Sequence, residues 1–109
     1  MRVIIVDDDE QIVKMLEIYF TKKGHEVVGK AYDGNGAINI IESVEFDAVI
    51  MDYRLPDMNG CEVARHIRKI KKEAKIVIIT AGDDVDTLDF PVVKKPFKSL
   101  KELLMYLDS

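Results

Sequence analysis

Cysteine occurs once in these 109 residues, at Cys61, and histidine twice, at His25 and His66. A lone thiol excludes an intrachain disulfide framework and suits a reducing compartment. Neither histidine has a partner at metal-ligand spacing, so both are expected on the solvated surface. Excess charge is also scarce. Sixteen basic residues stand against 20 acidic ones, for a net charge of −4, and no basic stripe is present. That argues against a direct nucleic-acid footprint. No apolar run is long enough to span a bilayer, and no charged-then-apolar leader precedes the first one, so no membrane partner is expected. Repeats, linkers and low-complexity stretches are missing too, so a single cytoplasmic domain over 1–109 with no effector domain is expected. What is present is a 48% hydrophobic content, enough for one folded core.

Short apolar runs alternate with amphipathic stretches, the pattern of a parallel sheet covered by helices on both faces. Strands are expected at Arg2–Val6, Glu26–Ala31, Ala48–Met51, Ile76–Ile79 and Val92–Lys94. The first helix carries Ile12, Val13, Leu16, Tyr19 and Phe20 at helical spacing, capped by Asp8 or Asp9 and stopped by Gly24. Asp33-Gly34-Asn35-Gly36 reads as a turn before a second helix marked by Ala37, Ile38, Ile41 and Val44. A third helix, Gly60 to Lys72 with Asn59 as cap, should bury Val63, Ile67 and Ile70 and expose Arg65, Arg68, Lys69, Lys71 and Lys72. A last helix near Ser99 to Leu107 presents Leu100, Leu103, Leu104 and Leu107. Between Thr80 and Pro91 a further crossover helix should stand, yet four aspartates and Thr87 occupy the span. Their poor helix propensity leaves room for one turn at most.

Asp7-Asp8-Asp9, Asp52 and Lys95 all sit just past the ends of apolar runs. Ligands of open α/β sheets bind outside the carboxyl ends of the strands. Clustered carboxylates repel one another and resist burial, so they call for a cation. A hard ion such as Mg²⁺, finished by a phosphoryl oxygen, fits, and it points to aspartyl phosphoryl chemistry. The bland alternative is that the three aspartates merely cap the first helix.

Four segments carry a family resemblance: Ile4-Ile5-Val6-Asp7-Asp8, Val49 to Gly60, Ile76-Val77-Ile78-Ile79-Thr80-Ala81 and Val93-Lys94-Lys95-Pro96-Phe97. In this order the chain resembles the receiver domain of bacterial and archaeal two-component response regulators over essentially its whole length. The resemblance implies a flavodoxin-like, doubly wound, five-stranded parallel sheet of order 2-1-3-4-5. It implies Asp52 as phosphoacceptor, charged by a histidine kinase or histidine phosphotransfer protein and read by an unidentified downstream protein. The implied Mg²⁺, with Mn²⁺ as alternative, would be held by Asp8, by Asp7 directly or through water, by Asp52 and by the backbone carbonyl of Arg54. Lys95 would supply a point charge to a phosphoryl oxygen. Lys94 is its rival, but strand alternation sends neighbours to opposite faces. Thr80 would give its hydroxyl and Ala81 its N–H to the phosphoryl group, Asp9 would cap, and Lys95-Pro96 would be cis. Arg54 and Gly82 fall where the family tunes the access of hydrolytic water.

One departure stands out. The family usually places a switch aromatic three residues before the lysine, where this chain has Val92. Two other functions compete. A haloacid-dehalogenase-like phosphatase would use Asp7-x-Asp9, Thr80 and Gly82-Asp83-Asp84, but Gln11 and the order of the motifs are wrong for it. A pseudo-receiver would keep the fold as a protein-binding module without the switch.

Overall fold

Strand alternation divides the buried side chains between two helical layers. In the computed structural model, which describes residues 1–82 and 90–108, the strands are β1 (Arg2–Val6), β2 (Glu26–Ala31), β3 (Ala48–Asp52), β4 (Lys75–Thr80) and β5 (Val92–Lys94). They form one parallel sheet of order β2-β1-β3-β4-β5. Helices α1 (Glu10–Lys22), α2 (Gly34–Ser43), α3 (Gly60–Ile70) and α4 (Lys101–Asp108) complete the described residues. Val3, Ile5, Ala48, Ile50, Val77, Ile79 and Val93 meet Leu16 and Phe20 of α1 and Leu103 and Leu107 of α4. The intervening Ile4, Val6, Val49, Met51, Ile76 and Ile78 meet Ala37 and Ile41 of α2 and Val63, Ala64 and Ile67 of α3. Because β1, β3 and β4 are covered on both faces, they read as unbroken apolar runs. This is the flavodoxin-like order expected from the sequence.

Local chemistry fixes the helix ends. Asp9 caps α1, its carboxylate accepting from the N–H groups of Gln11 and Ile12. Gly24, at φ 87°, ends it in the left-handed region, and the N–H of His25 returns to the Phe20 carbonyl at 3.0 Å. Asn59 caps α3 through the N–H of Glu62. No helix among the described residues is long and apolar enough to cross a membrane.

Several expectations need correction. Asp33 is not in a free turn: it caps α2, and Gly34, Asn35 and Gly36 form that helix's first turn. Helix α3 stops at Ile70, which is 52% exposed rather than buried, because Lys71 leaves helical geometry at φ −149° and ψ 92°. Arg68 and Lys71 are not free in solvent either. Arg68 lies over the Phe90 ring, 5.8 Å from its centroid, and donates to the Ala74 carbonyl. Lys71 lies 4.9 Å above Phe46 and donates to its carbonyl. His25 is half-buried, edge-on to Phe20 and 3.1 Å from the amino terminus, because the turn that ends α1 folds it back. His66 does sit at the surface, paired with Glu42 at 3.1 Å. Cys61 is packed in the core. The expectation of at most one helical turn between β4 and β5 falls on residues 83–89, outside the described residues.

Candidate functional site

The two central strands carry their acids to the same place. Ile5 pairs with Ile50 and Val6 with Met51, so Asp7 and Asp52 are the next residues along neighbouring strands. Asp7 is fully buried and Asp52 is 5% exposed. Asp8 projects from the turn into α1 and is exposed. Asp7, Asp8 and Asp52 each bring a carboxylate oxygen within 4.8 Å of the others. Asp9 does not join them because its side chain is spent on capping α1. That removes the Asp7-x-Asp9 pair on which a dehalogenase-like phosphatase would rely.

Lys95 enters from the other side. Its backbone N–H donates to the Thr80 carbonyl at 2.8 Å, which extends the β4–β5 pairing by one residue. Its ammonium lies 3.0 Å from Asp7 Oδ2 and 3.4 Å from Asp52 Oδ1. Alternation along β5 resolves the choice between the two lysines, since Lys94 Nζ donates to the Gly82 carbonyl instead. The Lys95-Pro96 peptide is cis, as expected from the resemblance.

Electrostatics at this cluster are those of unsatisfied negative charge. Burial, then repulsion from Asp7, pushes the Asp52 carboxyl up to about 6 even though Lys95 opposes both. Burial works against the Lys95 charge as well, yet the hydrogen bond to Asp7 and the field of Asp52 leave its pKa above the usual lysine value. One ammonium among three carboxylates leaves excess negative charge for a cation to neutralise. Among the described residues the converging donors are all hard oxygens, with no thiolate or imidazole, so a Mg²⁺-like ion suits them.

The rim is built by loops. Thr80 is fully buried at the end of β4, and its Oγ1 accepts from the Gly82 N–H at 3.1 Å. Ala81 follows directly and is exposed. The Arg54 side chain runs over Gly82, where an added Cβ would lie 3.1 Å from its Nη2. Gly60 is required for the loop to close, because a Cβ there would overlap the Asp52 carbonyl. Its own N–H donates to the Tyr53 carbonyl at 2.6 Å. Val92 pairs with Ile78 and packs toward the α2–α3 layer as a half-buried residue. A contact that sequence reasoning missed lies at the loop's far end, where the Asp57 carboxylate accepts from the N–H groups of Gly34 and Asn35.

Known structures share this fold. The response regulator TrrA of Thermotoga maritima, solved with Mg²⁺-BeF, is 33% identical over 97% of this chain and 97% of its own, with a TM-score of 0.81. A CheY-like receiver domain from Methanospirillum hungatei is 25% identical over 98% and 90%, at a TM-score of 0.88. The Borrelia burgdorferi CheX-CheY-BeF3-Mg complex gives 25% identity over 98% and 86%, at 0.84. Residues 3–103 match the description "Response regulator receiver domain". That match takes in residues of all five strands together with Asp7, Asp8, Asp52, Thr80 and Lys95, and it makes the chain a member of the response regulator receiver domain family, a signalling switch of two-component systems.

Proposed function

We propose that the chain is a phosphoacceptor and that Asp52 takes the phosphoryl group, from a phosphohistidine of a histidine kinase or phosphotransfer protein. The single observation that carries this is the Lys95 ammonium, set 3.4 Å from Asp52 and 3.0 Å from Asp7 in a cluster of three carboxylates. An Asp52 carboxylate oxygen attacks phosphorus while the donor's bond to phosphorus breaks and its electron pair leaves with the donor nitrogen. Lys95 holds positive charge beside the oxygens that become most negative. The Thr80 hydroxyl can donate to a phosphoryl oxygen while still accepting from Gly82, and the Ala81 N–H lies next to it in the chain. Asp7, Asp8, Asp52 and the Arg54 carbonyl would hold Mg²⁺, or Mn²⁺, which also favours hard oxygens. When bound, that ion lowers the repulsion between the carboxylates and the incoming phosphoryl group. Arg54, lying over Gly82, would tune the access of hydrolytic water to the acyl phosphate, by shielding or by ordering it.

The product would act through protein contacts, as a switch or as an intermediate in a phosphorelay. Val92 cannot swing as an aromatic would, which favours a relay role or a signal carried by another surface. A reducing, cytoplasmic setting suits the buried thiol of Cys61. Intact-mass analysis after incubation with acetyl phosphate and Mg²⁺ tests the reading. One added phosphoryl group in the wild type and none in Asp52→Asn is expected. No addition, or equal addition in the variant, would overturn it.

A further inference from the structure

We propose that Asp57 is a positioning residue for metal binding, fastening the loop between β3 and α3 to the start of α2. This rests on the reading of Arg54 as a backbone ligand. Asp57 Oδ1 accepts from the Gly34 N–H at 2.7 Å and Oδ2 from the Asn35 N–H at 2.9 Å. A carboxylate bonded to two successive N–H groups at a helix N-terminus makes charge-assisted bonds and meets the positive end of the dipole. Those bonds hold the Asp57 carboxyl below the usual carboxylate range. Beside it, the Met58 side chain lies so tightly on Gly34 that a Cβ there would overlap its Cγ and Sδ.

Helix α2 has its own cap in Asp33, which accepts from the Gly36 N–H at 2.6 Å. The second carboxylate therefore serves the loop more than the helix. Residues 53–60 fold on themselves through the Leu55 N–H to the Met58 carbonyl, the Gly60 N–H to the Tyr53 carbonyl and the antiparallel bridge between Arg54 and Asn59. One end of this unit continues from β3 and is fixed to β4, through the Tyr53 N–H on the Ile79 carbonyl at 2.9 Å. Its tip is fixed by Asp57 on α2. Arg54 lies between the two anchors, two residues after Asp52. A backbone ligand held in place beforehand need not be ordered when the ion arrives. Releasing the tip loosens Arg54 without touching Asp7, Asp8 or Asp52.

Calorimetric titration with Mg²⁺, alongside thermal melts in EDTA, tests this on four proteins. Asp57→Ala is expected to weaken Mg²⁺ binding roughly 10-fold, the scale of lost supporting contacts around a metal. Asp57→Asn, with one acceptor oxygen, should fall between Asp57→Ala and the wild type. Asp33→Ala removes a cap from the same helix and should lower the melting temperature while keeping Mg²⁺ affinity within about 2-fold of wild type. Wild-type affinity in Asp57→Ala would overturn the proposal. So would an equal loss in Asp33→Ala, because helix capping alone would then explain both. A wild type that binds no Mg²⁺ would instead remove the phosphoacceptor reading, and this inference with it.

Discussion

Without metal, the protein should lose stability as pH rises from acid to neutral, and Asp52 should be the main cause. Its carboxyl titrates at 3.8 in the unfolded chain and at about 6 in the folded one. Below 3.8 both states are protonated, and the contribution to stability is fully present. Between those two values the unfolded chain ionises while the folded site still holds its proton. Stability therefore falls as pH climbs through about 6 and stays low above it. A shift of about 2 units corresponds to ~3 kcal/mol. Solvent at the mouth of the site, next to exposed Asp8, screens part of this and brings the expected loss to ~1–2 kcal/mol. Urea unfolding followed by far-UV circular dichroism, in EDTA, would measure it across about pH 4 to pH 7.5. Other groups titrate in that range, so the useful quantity is the difference between wild type and Asp52→Asn. The variant should gain on the wild type by ~1–2 kcal/mol as pH rises. Parallel curves, or a variant that loses ground to the wild type as pH rises, would refute the reasoning.

Two further predictions concern packing. Phe90 is 7% exposed, joins the α2–α3 layer and lies under the Arg68 guanidinium; Phe90→Ala should cost ~3–4 kcal/mol in equilibrium unfolding. A cost under ~1 kcal/mol would mean that this ring anchors nothing. The Tyr19 hydroxyl is buried with no hydrogen-bond partner among the described residues, so Tyr19→Phe should raise stability by ~1 kcal/mol, and a comparable loss would reveal a partner for that oxygen.

What the sequence made legible follows strand periodicity. Asp7, Asp52 and Lys95 could be placed at one sheet edge because each ends an apolar run, and the separation of Lys94 from Lys95 follows from alternation alone. Asp9 could be read as a cap from its place before a helical pattern. Ties between distant segments left no such signal. Asp57 looks like an ordinary turn residue after Pro56, and its partners Gly34 and Asn35 lie 22–23 positions earlier. The same tie hid the true start of α2, since two glycines and an asparagine favour a turn until carboxylates from Asp33 and Asp57 satisfy their N–H groups. Ile70 continues the helical apolar period of Val63 and Ile67 but falls one step beyond the last turn that faces the sheet. Nothing in the composition marks His25 as packed, because its fold-back on Phe20 is a matter of helix-end geometry.

The most direct test of Asp52 as a Mg²⁺-dependent phosphoacceptor is a beryllofluoride titration followed by ¹⁹F NMR. The adduct mimics a phosphorylated carboxylate without a donor or a kinase. One equivalent should bind the wild type only when Mg²⁺ is present, and none should bind Asp52→Asn. Absence of a bound fluorine signal in the wild type with Mg²⁺, or an unchanged signal in Asp52→Asn, would contradict the account.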